Sequence, residues 1–164
     1  MKLLRYALLF PLVKNITESY IDNVIRDKVE PVRGSVLYCD LFLGYAEHSG
    51  IYIGNGLIIH KNCKGAIELV TPEQFISGTT ALSIYVSCFD NHAIGLEQIA
   101  LRAESLLNHQ QEYNFITRNC HQFCSYCLTG DKENYNISLA LLKNESENIL
   151  NSNEWRVWNY KQKS

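Results

Sequence analysis

The chain has no long hydrophobic run, no strong excess of one charge, and no repeat or low-complexity linker. A membrane-spanning helix needs about 20 apolar residues, whereas residues 1–13 hold only a brief apolar run after a basic start. We expect this segment to pack on the core, with contact to a membrane surface as the alternative. The net charge of −2 argues against nucleic acid as a partner. At 164 residues, the sequence predicts a single domain over 1–164.

The six cysteines lack the dense, regular spacing of a small disulfide-bonded secreted protein. We therefore expect reduced thiols and a cytoplasmic protein, peripheral at a membrane if residues 1–13 touch one. Cys39, Cys63 and Cys88 stand in apolar or strand-like surroundings. A free cysteine in such surroundings behaves as a small buried hydrophobic residue.

Hydrophobic periodicity predicts an α+β fold, in which an antiparallel β-sheet is flanked by helices. Helices are predicted over 16–27, from Thr71-Pro72, over 94–107 and from Asn119-Cys120, and strands over 34–39, in a hairpin between 48 and 60, over 67–70 and over 82–89. The core covers about 34–128, between an N-terminal segment and helix over 1–30 and a polar C-terminal extension over 130–164. In that extension we expect Trp155 and Trp158 to be packing anchors.

Two histidines, His48 and His60, flank the predicted hairpin. Between them Asn55-Gly56 is a strong turn signal, because both residue types accept a positive φ. A two-residue turn at that point would pair Ile51 with His60. Since side chains alternate along a strand, the two histidines would then face opposite sides of the sheet.

A three-residue loop, Gly54-Asn55-Gly56 with a bulge, gives a different register. It pairs Ile53 with Leu57 and Gly50 with His60. The two histidines then share one face as diagonal neighbours, with Cβ atoms roughly 7 Å apart, close enough for their imidazoles to form a hydrogen bond. We predict this loop and this register.

The segment from Cys120 to Cys127 is compatible with three kinds of site. Its C-x3-C-x2-C spacing matches a three-thiolate iron–sulfur motif, but that motif normally opens a much larger barrel. Zinc is the second interpretation, with His121 or Cys63 as the fourth ligand, although structural zinc usually has two spaced ligand pairs. In the third, Cys120, Cys124 and Cys127 form a stripe along one helix. We take the helix as the prediction and expect neither metal nor cofactor.

On that helix Cys120 is a candidate nucleophile. Asn119 is a good N-cap residue, which puts the thiol where unpaired backbone N–H groups and the positive end of the helix dipole favour a thiolate. The N–H of Cys120 would also be placed to bind an oxyanion. His121 lies about 100° round the helix from Cys120 and is expected to be a surface or structural residue.

These motifs together resemble the lecithin:retinol acyltransferase family, whose members are circularly permuted relatives of the NlpC-type, papain-like thiol peptidases. The resemblance covers roughly residues 34–128. It is carried by His48-Ser49-Gly50-Ile51-Tyr52-Ile53-Gly54-Asn55-Gly56, His60 and Asn119-Cys120-His121-Gln122-Phe123. The chain departs from the family pattern at Ser49 and at His121-Gln122, and also at Gly34-Ser35.

The resemblance implies that Cys120 is the nucleophile, His48 the general base and acid, and His60 the group that orients His48. The implied protein is a hydrolase or acyltransferase that acts on an ester or amide through an acyl-cysteine intermediate. Lipid acyl groups, with phospholipids among them, are the implied substrates. The alternatives are a peptidase or amidase on peptide-like amides, and a non-catalytic binding module on the same scaffold.

Overall fold

The structure is a computed structural model that describes residues 28–40, 47–77, 79, 81–108 and 119–160. Within those residues the chain forms seven strands in one antiparallel sheet, together with four helices. In chain order the elements are β1 (Val36–Asp40), β2 (Glu47–Gly54), β3 (Leu57–Lys61), β4 (Ile67–Val70), α1 (Pro72–Ile76), β5 (Tyr85–Phe89), β6 (His92–Ala93), α2 (Glu97–Asn108), α3 (Cys120–Thr129), α4 (Leu139–Leu150) and β7 (Glu154–Val157). The predicted α+β class with an antiparallel sheet is confirmed.

Hydrogen-bonded neighbours in the sheet follow the order β4-β3-β2-β1-β5-β6, and β7 also pairs with β5. Every strand pairing is antiparallel. Tyr85 of β5 pairs with Tyr38 on one side and with Val157 on the other. The C-terminal strand is therefore an integral part of the sheet.

Both faces of the sheet are buried, and this explains the nearly continuous apolar runs in β1 and β3. One face packs on α2, α3 and α4 through Val36, Ile51, Ile59 and Phe123, among others. The other face carries Leu37, Ile58, Val86 and Trp158, and α1 adds Phe75. Alternation along each strand sends neighbouring side chains into separate cores.

Local signals located most elements correctly. Strand β4 has the predicted bounds, and β1, β5 and α2 lie within or close to their predicted ranges. Helix α1 begins with a capping box, in which Thr71 Oγ1 accepts from the Gln74 N–H and Gln74 Oε1 accepts from the Thr71 N–H. The predicted helix over 16–27 and the segment 1–13 lie outside the described residues.

Two C-terminal elements, α4 and β7, were not predicted. Helix α4 starts at a Ser138 cap, which accepts from the Leu141 N–H, and ends at Asn151 with a left-handed φ of 56°. The helix buries Leu139, Leu142 and Leu150, but its outer face mixes polar residues with the exposed Leu141 and Ile149, so no clear apolar stripe marks it in the sequence. Trp158 is buried, as the packing-anchor interpretation requires.

The hairpin between β2 and β3 has the predicted register at His60 but a different turn. Gly50 pairs with His60, whereas Gly54, not Ile53, pairs with Leu57. The three-residue loop was therefore wrong: Asn55 and Gly56 form a two-residue turn with φ values of 54° and 73°. An Asn-Gly pair favours this left-handed turn, and a bulge between Tyr52 and Gly54 restores the register that the turn alone would shift.

Arg33 supports the bulge. Its guanidinium donates to the carbonyl oxygen of Ile53, the extra residue of β2, and binds both carboxylate oxygens of Glu104 at 2.8 Å. Glu97 accepts from Nε of the same side chain at 2.9 Å. The ion pair with Arg33 lowers the pKa of Glu104. The bulge is thereby tied to helix α2.

We expect Arg33→Ala to lower the free energy of unfolding by about 1–2 kcal/mol, because a two-pronged ion pair and a hydrogen bond to the bulge are lost together. Urea unfolding monitored by circular dichroism measures the change. Glu97 is the more exposed partner, with 61% of its side chain accessible, so Glu97→Gln is the matched control and should cost less than about 0.5 kcal/mol. Equal losses in the two variants would contradict this account of the bulge.

Candidate active site

His48 and His60 lie side by side on adjacent strands of the hairpin. Nε2 of His48 is 2.5 Å from Nδ1 of His60, and the ring planes are inclined by 80° with centroids 4.7 Å apart. The prediction that the two imidazoles share a face and form a hydrogen bond is confirmed. The bulged register of β2 is what places them there, because a shift by one residue would turn His48 to the opposite face.

Phe75 covers both imidazoles. Its ring centroid is 4.9 Å from that of His48 and 5.5 Å from that of His60. Gly50, directly opposite His60, leaves the space for this contact: a Cβ atom there would lie 3.0 Å from Cε2 of Phe75. No local sequence signal marks Phe75 as a site residue, because the capped start of α1 does not reveal the strand pair against which this ring packs.

A carboxylate contacts His60 on the side away from His48. Glu68 on β4 pairs directly with His60 on β3, and its Oε1 lies 3.1 Å from Nε2 of His60. The strand over 67–70 was predicted, but its pairing partner was not. This residue was therefore missed, because register between two strands joined by a longer turn is not encoded locally.

Burial keeps both hairpin histidines uncharged at neutral pH. Burial, together with smaller effects of the nearby His60 and His121, lowers the pKa of His48 from 6.5 to about 4. Burial also lowers the pKa of His60, while Glu68 opposes that shift through its charge and its hydrogen bond. At pH 7 each ring thus carries one N–H and one free lone pair.

Helix α3 begins at Cys120, and Asn119 is its N-cap, as predicted. The Asn119 side chain accepts from the Gln122 N–H at 2.9 Å and donates to the carbonyl oxygen of Ile137 at 2.9 Å. The Cys120 thiol is half-buried, and its Sγ lies 3.9 Å from the carbonyl oxygen of Glu47. Because Glu47 precedes His48 on β2, the thiol stands at the end of the strand that carries the first histidine.

The rest of α3 packs against the opposite face of the sheet. Cys124 and Cys127 are fully buried in the core that contains Ile51, and burial raises the pKa of both thiols. His121 is buried as well, with Nδ1 3.0 Å from Oγ of Ser49. Of the two roles expected for His121, surface or structural, its burial and its contact with Ser49 support the structural one. Cys120 thus approaches the histidine pair at the start of β2 and not across a sheet face.

The lecithin retinol acyltransferase family model matches residues 29–133. This range contains His48, His60, Glu68, Asn119 and Cys120 and covers more than half of the chain.

The chain belongs to the lecithin retinol acyltransferase family.

Members of this family have an NlpC-type fold and are typically thiol acyltransferases, so family membership indicates acyltransferase or hydrolase chemistry. The circular permutation stays a prediction. No curated protein and no solved structure matches the chain. Among the residues that the structure describes, each helix is too short or too polar to cross a membrane.

The other five cysteines differ from Cys120 in their surroundings. All six cysteines are free thiols. Cys39 and Cys88 are buried, as expected, and burial raises the pKa of Cys39 to about 12 and that of Cys88 to about 11. Cys63 is exposed, so its expected burial was wrong. It lies in the turn between β3 and β4, where it has no strand to hold it against a core.

Carboxylates flank the strand end at which the thiol lies. Glu47 pairs with Asp40 across β1 and β2, and burial together with Asp40 raises the pKa of Glu47. Lys143 of α4 opposes that shift, while its own pKa is lowered by burial. Its Nζ lies 4.1 Å above the ring centre of Tyr38. The negative charge at the start of β2 is therefore partly balanced from α4.

Acid should destabilise the fold, because His48, His60 and His121 all have pKa values below the unfolded value of 6.5. Their neutral burial stabilises the protein fully above pH 6.5, and for His48 this contribution is lost as the pH falls through about 4. We expect the free energy of unfolding to fall by up to about 1 kcal/mol per pH unit for each histidine. Urea unfolding at a series of pH values measures it. The slope should decrease in His48→Gln and not in the control His92→Gln, and a flat wild-type curve would contradict neutral burial.

Phe75→Ala should raise the pKa of His48 from about 4 toward 6.5, because water would reach both imidazoles. It should also cost about 3–5 kcal/mol of stability. An NMR titration of the histidine ring protons measures the pKa. Phe89, which is largely exposed, provides the control: Phe89→Ala should leave the His48 titration unchanged. If the two variants titrate alike, Phe75 is not what keeps water from the pair.

Proposed function

We propose that this protein is a cysteine-dependent hydrolase or acyltransferase that acts on an ester or amide through an acyl-cysteine intermediate. The observation that carries the proposal is the hydrogen-bonded, uncharged pair of His48 and His60 next to the strand end that Cys120 contacts. Family membership supports the same chemistry. Nucleophile, base and orienting group then come from three elements, α3, β2 and β3.

In the first step, Sγ of Cys120 attacks the substrate carbonyl carbon and the thiol proton passes to His48. A new S–C bond forms while the electrons of the carbonyl double bond move to oxygen. With a pKa of about 4, His48 is a free proton acceptor at neutral pH. The thiol contacts the carbonyl oxygen of Glu47, the residue that precedes His48 on β2.

The helix N-terminus would bind the negative oxygen of the tetrahedral intermediate. The N–H of Cys120 is not engaged by the Asn119 cap, whose side chain takes the Gln122 N–H, and the helix dipole favours negative charge at this end. Collapse of the intermediate expels the leaving group, which takes the proton from His48. Water, or an acceptor amine or hydroxyl, then attacks the acyl-cysteine and frees the thiol.

Lipid acyl groups, including those of phospholipids, are the proposed substrates. Support comes from the family and from two exposed apolar side chains, Ile137 and Leu141, in the segment that Asn119 binds. We propose a cytoplasmic protein that is peripheral at a membrane when it meets such a substrate.

Acylation of Cys120 by a short-chain phosphatidylcholine tests the proposal. We expect peptide mass spectrometry to find the acyl adduct on Cys120, and Cys120→Ala to abolish it. His48→Gln should slow its formation by about 100-fold or more, because general-base catalysis is lost. The exposed Cys63 provides the matched control, so Cys63→Ser should retain wild-type acylation.

Three other results would each contradict a different part of the proposal: the site, the lipid substrate or the catalysis. Equal acylation of Cys63 and Cys120 would mean that Cys120 reacts only as an ordinary exposed thiol does. Cleavage of a peptide library without lipid acylation would identify a peptidase or amidase. A Cys120 reactivity that does not change in His48→Gln would favour a binding module with an idle thiol.

A further inference from the structure

Gly50, His60 and Glu68 form one row across β2, β3 and β4. Gly50 pairs with His60, and His60 pairs with Glu68. Directly paired residues of an antiparallel sheet point to the same face. Since Gly50 has no side chain, the imidazole of His60 reaches His48 with one nitrogen and Glu68 with the other.

The carboxylate fixes which nitrogen of His60 carries the hydrogen. An ionised glutamate has no proton to give and only accepts hydrogen bonds. The 3.1 Å contact therefore requires that Nε2 of His60 be the donor. Burial lowers the pKa of His60, so the ring holds a single proton at neutral pH. Its Nδ1 is then an acceptor.

The same reasoning passes to His48. Nε2 of His48 must donate to Nδ1 of His60 across their short contact. His48 is also uncharged at neutral pH, with a pKa of about 4. Its single hydrogen is therefore on Nε2, and Nδ1 keeps its lone pair.

Of the groups in contact with the two imidazoles, Glu68 is the one that determines which ring nitrogens carry hydrogen. Phe75 from α1 has no hydrogen-bonding atom in its side chain. His121 of α3 affects His48 through its charge and binds Ser49 with its own Nδ1. Among the described contacts of the pair, the carboxylate of Glu68 alone distinguishes a donor from an acceptor.

We propose that Glu68 is a positioning residue, whose carboxylate orders the hydrogen bonds through His60 and leaves Nδ1 of His48 free to accept a proton. The identity of that proton, the one on the Cys120 thiol, rests on the function proposed above. When it moves to Nδ1, His48 becomes an imidazolium, and Glu68 stabilises the positive charge through His60 without taking a proton itself. Without the carboxylate, His60 can carry its hydrogen on Nδ1 and donate it to Nε2 of His48. The hydrogen of His48 is then on Nδ1, and that nitrogen can no longer accept a proton.

A structural role for Glu68 would have a different signature. Its side chain is 44% exposed, so it adds little to the core, and an ion pair at this exposure contributes little to stability. Variants at this position are therefore expected to fold. Their defect should be in the tautomers and in the chemical step.

Nitrogen-15 NMR of histidine-labelled full-length protein at neutral pH tests the order directly. We expect the hydrogen on Nε2 in both His48 and His60, and a non-protonated Nδ1 in His48. A hydrogen on Nδ1 of His48 in the wild-type protein would overturn the proposal without any variant.

Glu68→Ala should give mixed tautomers of both rings and slow Cys120 acylation by about 10-fold, with the dependence on substrate concentration unchanged. The Glu68→Gln amide can accept through its oxygen or donate through its nitrogen, so it should loosen the tautomer order and slow acylation by less than Glu68→Ala does. Glu73, an exposed carboxylate on α1, is the charge control, and Glu73→Gln should alter neither measurement. Wild-type tautomers and acylation in a folded Glu68→Ala would overturn the proposal.

The tautomer measurement separates this inference from the proposed function. If Cys120 is not acylated but the tautomers shift in Glu68→Ala, Glu68 orders the histidines and the enzymatic proposal fails. If acylation of Cys120 depends on His48 but the tautomers do not change in Glu68→Ala, the enzymatic proposal is supported and the positioning role of Glu68 is contradicted.

Discussion

The pairing of Gly50 with His60 is the constraint on which the site depends. This register is determined at the far end of the hairpin, where the Asn-Gly turn and one bulged residue on β2 together produce it. Arg33 holds the bulge to α2, on the opposite face of the sheet from the imidazoles. The geometry of the histidine pair is therefore maintained from outside the site, because a strand cannot slip by one residue while its bulge is anchored.

Burial and hydrogen bonding act in opposite directions on the histidine pair. The apolar cover from Phe75 and the sheet lowers both pKa values, while Glu68 opposes this for His60 alone. The ring that would meet the thiol is therefore uncharged at neutral pH and available as a proton acceptor.

What the sequence could predict was local. The Asn119 cap, the helix start at Thr71-Pro72 and the shared face of His48 and His60 follow from residue types a few positions apart. Phe75 and Glu68 reach the histidines only through tertiary contacts, which no spacing reveals. Ser49 and His121 are instructive, since both depart from the family pattern and they bind each other, 72 positions apart. The two departures from the family pattern are therefore explained by one hydrogen bond, which only the three-dimensional structure reveals.

Strand β7 has a consequence for the order in which the chain can be completed. It pairs with β5 along Tyr85 to Cys88, and the β-bridge of Val29 to Trp158 follows directly after it. Because β5 is synthesised well before β7, the backbone groups of β5 that pair with β7 stay unpaired until β7 joins the sheet. A chain whose synthesis stalls between the two strands would therefore expose an unprotected sheet edge to other chains.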